Sequence, residues 1–323
     1  MAYTRVLVAI AVVAGCGSDD ARQLPRTSPS DAAPATPPTV PLAVHRFEEP
    51  KLKLPSLVSL VLLEPGQTPH APLRYALVPG DSLQRSRTVL SSRRLANGAW
   101  GPLETLPPIE HTLTATVSAA DQPIVVRSQP AKIIGTATPE ATQYLEALKP
   151  FEGRDLTAPF DARGMLGDLS FVDDPGKARS QAAIDEVTQR MLAVMVPAPA
   201  ESVGIGAKWR VVTILRQRPA VVKQTATYTL LARSKASWKI GVDISRVGEP
   251  QTLIDPAIPR DTLVELVALR RSFKGTLDVN PTRPFATGKL DVTSSLHIHI
   301  TRKDQGRSEE IVEDTSRATL TAR

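Results

Sequence analysis

The residues whose spacing best suits chemistry are His297 and His299. Residues two apart on a strand share a face, so two imidazoles stand close enough for one zinc or copper ion to bridge. Asp291 lies further along the same face. A metal site would still need a third and a fourth ligand from other strands, and the polar face of an antiparallel sheet often carries such residues without any ion. The expectation is a histidine pair without metal, in a chain that needs no cofactor. No GxSxG, HExxH, Walker A or GxGxxG pattern occurs. Gly204-Ile205-Gly206 reads as a turn, and Gly288-Lys289 has Arg283 where a phosphate loop requires its first glycine. Asp173-Asp174 and Glu309-Glu310 are adjacent pairs; on a strand their side chains point to opposite faces and make no acid/base couple.

The chain has a single cysteine, Cys16, which excludes an internal disulfide. It follows one cation, Arg5, and the apolar run Val6 to Ala14, which is about half of the ~20 residues a spanning helix needs. A charged start, an apolar middle and small residues at the end form a secretory signal. Val13-Ala14-Gly15-Cys16 resembles the lipobox of bacterial lipoproteins, with an ordinary secretory signal as the alternative. The resemblance implies that residues 1–15 are removed as a signal peptide. It also implies that Cys16 carries a thioether-linked diacylglyceryl, and that its new amine carries a further acyl chain of the palmitate type. Two or three chains, at ~0.8 kcal/mol per buried methylene, anchor a protein firmly. Gly17-Ser18 lacks the Asp that retains enterobacterial lipoproteins in the inner membrane, so the expected address is the outer membrane of a Gram-negative cell envelope.

From the lipidated Cys16 through residue 56 the chain is rich in Pro, Ala, Ser and Thr, and apolar periodicity is almost absent before Val40. Such a segment buries too little surface to offset ordering and reads as a disordered tether. About 40 residues span roughly 35 Å as a coil and ~120 Å as extended polyproline. The body, residues 57–323, is large enough for a core without disulfides, either as one domain or with a split near 150–155.

Period-two alternation dominates the body and predicts an α+β fold: a mostly antiparallel, curved meander sheet or open barrel with two helices. Val58, Leu60 and Leu62 alternate first, then Leu73, Tyr75 and Leu77. Ile109 to Ser118 follows, with β-branched outer positions. Later strands are expected from Trp209, Ala226 and Trp238 onward, and around 263–278, 285–300 and 310–320. Thr138-Pro139-Glu140 has the capping hydroxyl, first-turn proline and acid of a helix start, with Ala141, Tyr144, Leu145 and Leu148 on one face and Pro150 as the stop. A strand pair, 156–162 and 165–172, turns at Arg163-Gly164. A second helix starts at Asp174-Pro175, carries Ile184, Val187, Met191, Val194 and Met195 as its stripe, and stops at Pro197 and Pro199.

The formal net charge is +6, with basic groups at Arg85/Arg87/Arg93/Arg94 and at Lys208/Arg210/Arg216/Arg218. These are either solvated strand faces or fields for anionic envelope components such as lipid phosphates. Aromatics are only 4% of the chain, which argues against nucleic acid. Three function classes remain, in this order: a non-enzymatic binding or scaffolding lipoprotein, a carrier of lipid or another apolar ligand in the hollow of the sheet, and a hydrolase with a scattered site. The expected architecture is similar to that of lipid-anchored proteins of the lipoprotein-localisation pathway. The body also resembles β-rich predicted lipoproteins of GC-rich Gram-negative bacteria, which implies no activity. A packed hollow favours the first class and an open one the second.

Overall fold

The computed structural model describes residues 56–323, apart from 97, 120–121, 150–151, 173–176, 218, 255–257 and 304. The signal segment, Cys16 and the tether up to residue 55 lie outside the described residues, as do Asp173-Asp174, Pro150 and Arg218; residue 56, expected as the tether's last, opens the first strand.

Among the described residues fifteen strands form one antiparallel sheet that does not close into a barrel. β1 (Ser56–Glu64) pairs with β9 (Lys208–Gln217), followed by β10 (Ala220–Arg233), β11 (Trp238–Gly248), β13 (Thr262–Val279), β14 (Thr287–Arg302) and β15 (Gly306–Ala322). The last strand then pairs with β2 (Gly80–Ala96), which leads to β5 (Ile109–Val117), β6 (Ile124–Ile133), β7 (Asp155–Ala158) and β8 (Ser170–Phe171). Short strands β3 (Ala99–Trp100) and β4 (Glu104–Thr105) lie on β2, and β12 (Gln251–Leu253) lies on β13. The β6–β7 ladder joins residues 124–127 to 155–158, so strands from both sides of the 150–155 region belong to one sheet.

This order forces the helices inward. From β8 at one edge, the chain must reach β9 near the other, and it does so through α2 (Lys177–Val194). α2 packs its stripe on the sheet: Val187, Met191, Val194 and Met195 are 0–5% exposed and share one core with β5, β6, β7, β9, β10, β11, β13 and β14. That core unites both ends of the sheet. A second cluster joins Leu215 and Val222 to Val264, Leu296, Ile298 and Ile300, and a third sets α1 (Pro139–Leu148) against Leu90, Leu106 and Ile109. α1 begins as expected, with Thr138 Oγ1 accepting the Ala141 N–H at 3.2 Å.

Two expectations need adjustment, and one strand is unforeseen. Leu73, Tyr75 and Leu77 are buried, but their segment is no strand. Its N–H groups bond outward instead, Tyr75 to Ala162 O, Ala76 to Pro281 O and Val78 to Thr282 O, and Pro72 and Pro79 have no N–H for a ladder. The 156–172 pair is shorter than its pattern: only Leu156↔Phe171 and Thr157↔Ser170 form the ladder. Beyond Pro159 it narrows to a single Phe160↔Leu166 bridge and a turn in which the Gly164 N–H donates to Asp161 O. Gly164 sits at φ +75° within 3.0 Å of Val196 O and against the Tyr75 ring, measured from where a Cβ would stand, so only glycine fits. Finally, β2 carries no apolar alternation. Its inward positions include Ser82, Gln84 and Ser92, all buried, so hydrophobic period alone does not find it.

Candidate functional site

The sheet offers two places where chemistry can gather: its helix-covered inner face and its outer face.

The inner face first answers the question of a hollow. Trp209 and Trp238, alternating with polar residues on β9 and β11, both point inward and are 0% and 4% exposed. Trp209 Nε1 donates to Pro197 O at 2.7 Å and its ring stacks on Tyr228 with centroids 5.7 Å apart. Trp238 meets the Tyr75 ring edge-on at 5.3 Å. Met191 and Met195 close the same core from α2. An accessible surface of zero means that no space of even water size adjoins the Trp209 ring. The indoles that would line a ligand cavity are packed.

Further along the same inner face the core turns polar. Arg246 on β11 is 2% exposed; its Nε donates to Gln224 Oε1 at 2.8 Å and a terminal nitrogen donates to Gln189 O of α2 at 3.3 Å. Burial pulls its pKa down to about 9, the neighbouring cation Arg271 adding to the effect. Both guanidinium groups lie over the Phe273 ring, at 4.8 and 5.0 Å. Asp314, register partner of Ser92, has its pKa pushed up to about 6 by burial, against the pull of the Ser92 hydrogen bond and of Arg271. His111 of β5 and Tyr144 of α1 meet edge-on at 6.1 Å, and burial with the nearby Arg190 of α2 holds the His111 imidazole neutral. Arg190 bonds Glu186 at 2.8 Å along the helix. These groups tie helix to sheet. None of them forms a nucleophile–base couple.

The outer face holds the histidines. β14 runs between β13 and β15, and its register places Glu265, His299 and Glu309 in one row across the three strands. His297 lies diagonally, opposite Ile311. Its Nε2–H donates to Glu309 Oε1 at 2.6 Å, and His299 Nε2 stands 4.0 Å from the same oxygen. The two rings meet edge-on at 5.3 Å. Arg307 donates to His299 Nδ1 and also reaches Glu265 at 3.4 Å. The imidazoles are about a quarter exposed and Glu309 about half.

The sequence reading paired the histidines but left them without a third partner. Strand pairing supplies one in Glu309, while Glu310 points inward to Arg94. Asp291 does not join them: it bonds Arg317 at 2.7 Å. Reading the adjacent Glu309-Glu310 as facing opposite ways holds, and it is the β14–β15 register, invisible in one strand alone, that brings Glu309 to the pair. The basic groups are also divided by strand alternation. Arg93 pairs with Glu313, Arg94 with Glu310 on the inner side, and Lys208 with Glu64 at 2.9 Å. A shallow groove of about 360 Å³ runs across β11, β13, β14 and β15, lined by Ser245, Ser272, Thr293 and Thr315 in register and also by Arg271 and Asp314.

Among the described residues no helix is long and apolar enough to cross a membrane, which leaves strands unaddressed. No protein-family model and no curated protein matches the chain. Among solved structures, an outer membrane channel from Pseudomonas putida F1 aligns over 76% of this chain and 97% of its own, at 7% identity and a TM-score of 0.19.

Proposed function

We propose that the protein is a lipid-anchored component of the bacterial cell envelope that binds or scaffolds with the outside of its sheet. It is not read as a carrier of an apolar ligand within the sheet. The observation that carries this reading is the packed interior: Trp209, Trp238, Met191 and Met195 occupy the hollow that a carrier would keep open. The anchor rests on Val13-Ala14-Gly15-Cys16, and the proline-rich segment after it gives the body reach above the lipid surface. A non-enzymatic role accords with polar groups that tie elements together instead of converging on a reactive atom.

Two measurements test the proposal. In cells, Cys16→Ala should abolish labelling by a radioactive fatty acid and release the chain from the outer membrane fraction; unchanged membrane attachment would overturn the anchor. With purified protein, tryptophan emission should stay nearly constant when fatty acid or phospholipid is added. A saturable blue shift, lost on making Met191 and Met195 polar in a still-folded variant, would replace the scaffold with the carrier.

A further inference from the structure

The outer-face cluster is built for more than holding a histidine pair. His297, His299 and Glu309 lie on β14 and β15, whose mutual ladder is uninterrupted from Gly288 to Arg302, while the β13 side carries one bulge between Leu266 and Ala268; one ligand atom from each of the three residues falls within 4.8 Å of the others. The set is two imidazoles and one carboxylate, the hard-to-borderline N₂O combination that zinc and its neighbours take, with positions left for water. Tetrahedral zinc, with bonds of about 2.0–2.1 Å, holds its ligand atoms roughly 3.3 Å apart. The present separations of 2.6 and 4.0 Å bracket that value, so small side-chain rotations on exposed groups reach it.

The hydrogen bonds show what occupies the place now. Arg307 donates to His299 Nδ1, so the His299 proton sits on Nε2. His297 also presents an Nε2–H to Glu309 Oε1, and His299 Nε2 stands 4.0 Å from the same oxygen. Two imidazole nitrogens set around one carboxylate oxygen is an arrangement that a single cation can bridge. On metal binding each imidazole gives its Nε2 lone pair and carries its proton on Nδ1. His299 Nδ1 then becomes a donor, which Arg307 cannot accept, and Arg307 must leave. Glu265, the register partner of His299 and already within 3.4 Å of Arg307, is the acceptor placed to take that proton's hydrogen bond.

We propose that His297, His299 and Glu309 bind a divalent transition-metal ion of the zinc class, with Arg307 holding the site in its ion-free form and Glu265 orienting His299 once the ion is bound. The site lies on a sheet already folded without it, so metal adds a function to the outer face and does not build the fold. This goes beyond the envelope-scaffold reading and does not depend on the lipid anchor.

The test is calorimetric titration of the full chain in detergent, in a non-chelating buffer at neutral pH, with zinc chloride and separately with magnesium chloride. One saturable zinc site is expected, with no magnesium binding. His297→Ala, His299→Ala and Glu309→Gln should each weaken zinc binding by about tenfold or more, since even loss of an orienting partner costs 10–100-fold. Arg307→Ala should strengthen it several-fold by removing a competing donor and a positive charge. Circular dichroism of each variant establishes that the sheet is intact, and any variant that fails this is replaced by His297→Gln or His299→Gln. Absence of saturable zinc uptake by the intact chain, equal binding by the folded His297/His299 double variant, or weaker binding in Arg307→Ala would each overturn the proposal.

Discussion

Strands β11, β13, β14 and β15 carry a polar cluster on each face, and the two differ in what fixes them. On the inner face Arg246 bonds α2, the Arg246 and Arg271 guanidinium groups both lie over the Phe273 ring, and Asp314 is buried near Arg271. On the outer face His297, His299, Glu309, Arg307 and Glu265 meet through their side-chain tips. The inner groups are held by the core around them: Arg246 bonds the α2 backbone and Gln224, and a ligand could reach it only by displacing the helix. They are also imperfectly served. Arg271 Nε and Asp314 Oδ1 have no hydrogen-bond partner among the described residues, a cost that burial imposes and exposure would relieve. The outer groups can change partners at little cost, on a backbone paired on both sides. The contrast teaches that polar residues of similar type serve structure on one face and remain available for binding on the other.

The largest effect should come from breaking the inner face where it is most tightly packed. Trp209→Ala removes the largest fully buried side chain, its stacking on Tyr228 and its bond to Pro197 O. The expected loss is about 3–5 kcal/mol in urea-induced unfolding. A loss below about 1 kcal/mol would mean that the indole borders a void and that the interior is not packed.

A smaller effect sharpens the electrostatic side of the contrast. The folded-state pKa of Asp314 is raised from 3.8 to about 6. Between those values the folded chain holds a proton that the unfolded chain releases. Its contribution is therefore fully present below about pH 4 and lost as pH rises through 6. Compared with Asp314→Asn, the wild type should lose about 2–3 kcal/mol of relative stability from pH 4 to 7, measured by thermal unfolding of both across that range. A relative stability that rises with pH would mean that Arg271 keeps the carboxylate ionised and that burial does not dominate.

How much of this was legible in the sequence depends on which side chains carry the period. The long strands β9 to β15 and both helices are visible because Trp, Val, Ile and Leu fall on alternate or helical positions, and a curved open antiparallel sheet follows from them. β2 is not visible, since Leu90 is the lone large apolar side chain among buried inner positions that include Ser82, Gln84 and Ser92, and its apolar Val89 points outward at 39% exposure. The 73–77 segment misled for the opposite reason: burial gave it an alternating pattern while its prolines and distant partners kept it out of the ladder. Of the outer cluster, the histidine pair could be seen because both ligands lie on one strand. Glu309 could not, because its place beside them depends on a register between two strands, and no local pattern encodes that pairing.

The smallest expected effect tests whether the outer cluster is truly free of structural duty. Changing His297 and His299 together to Ala should alter stability by no more than about 0.5 kcal/mol, and adding a chelator should not lower the melting temperature of either protein. The reason lies in the residues between them. β14 is held by Leu296, Ile298 and Ile300, which are 0–3% exposed on the inner face, and by ladders to β13 and β15 that involve no side chain. Ile298→Ala, one position from either histidine but on the other face, should cost about 2–5 kcal/mol. Zinc, by contrast, should raise the melting temperature of the wild type in proportion to its binding and leave the double variant unmoved, because an ion that binds only the folded state stabilises it by mass action. A double variant as unstable as Ile298→Ala would show that the histidines hold the β14–β15 pairing, and the division of labour between the two faces would fail on the very strand where it is drawn most sharply.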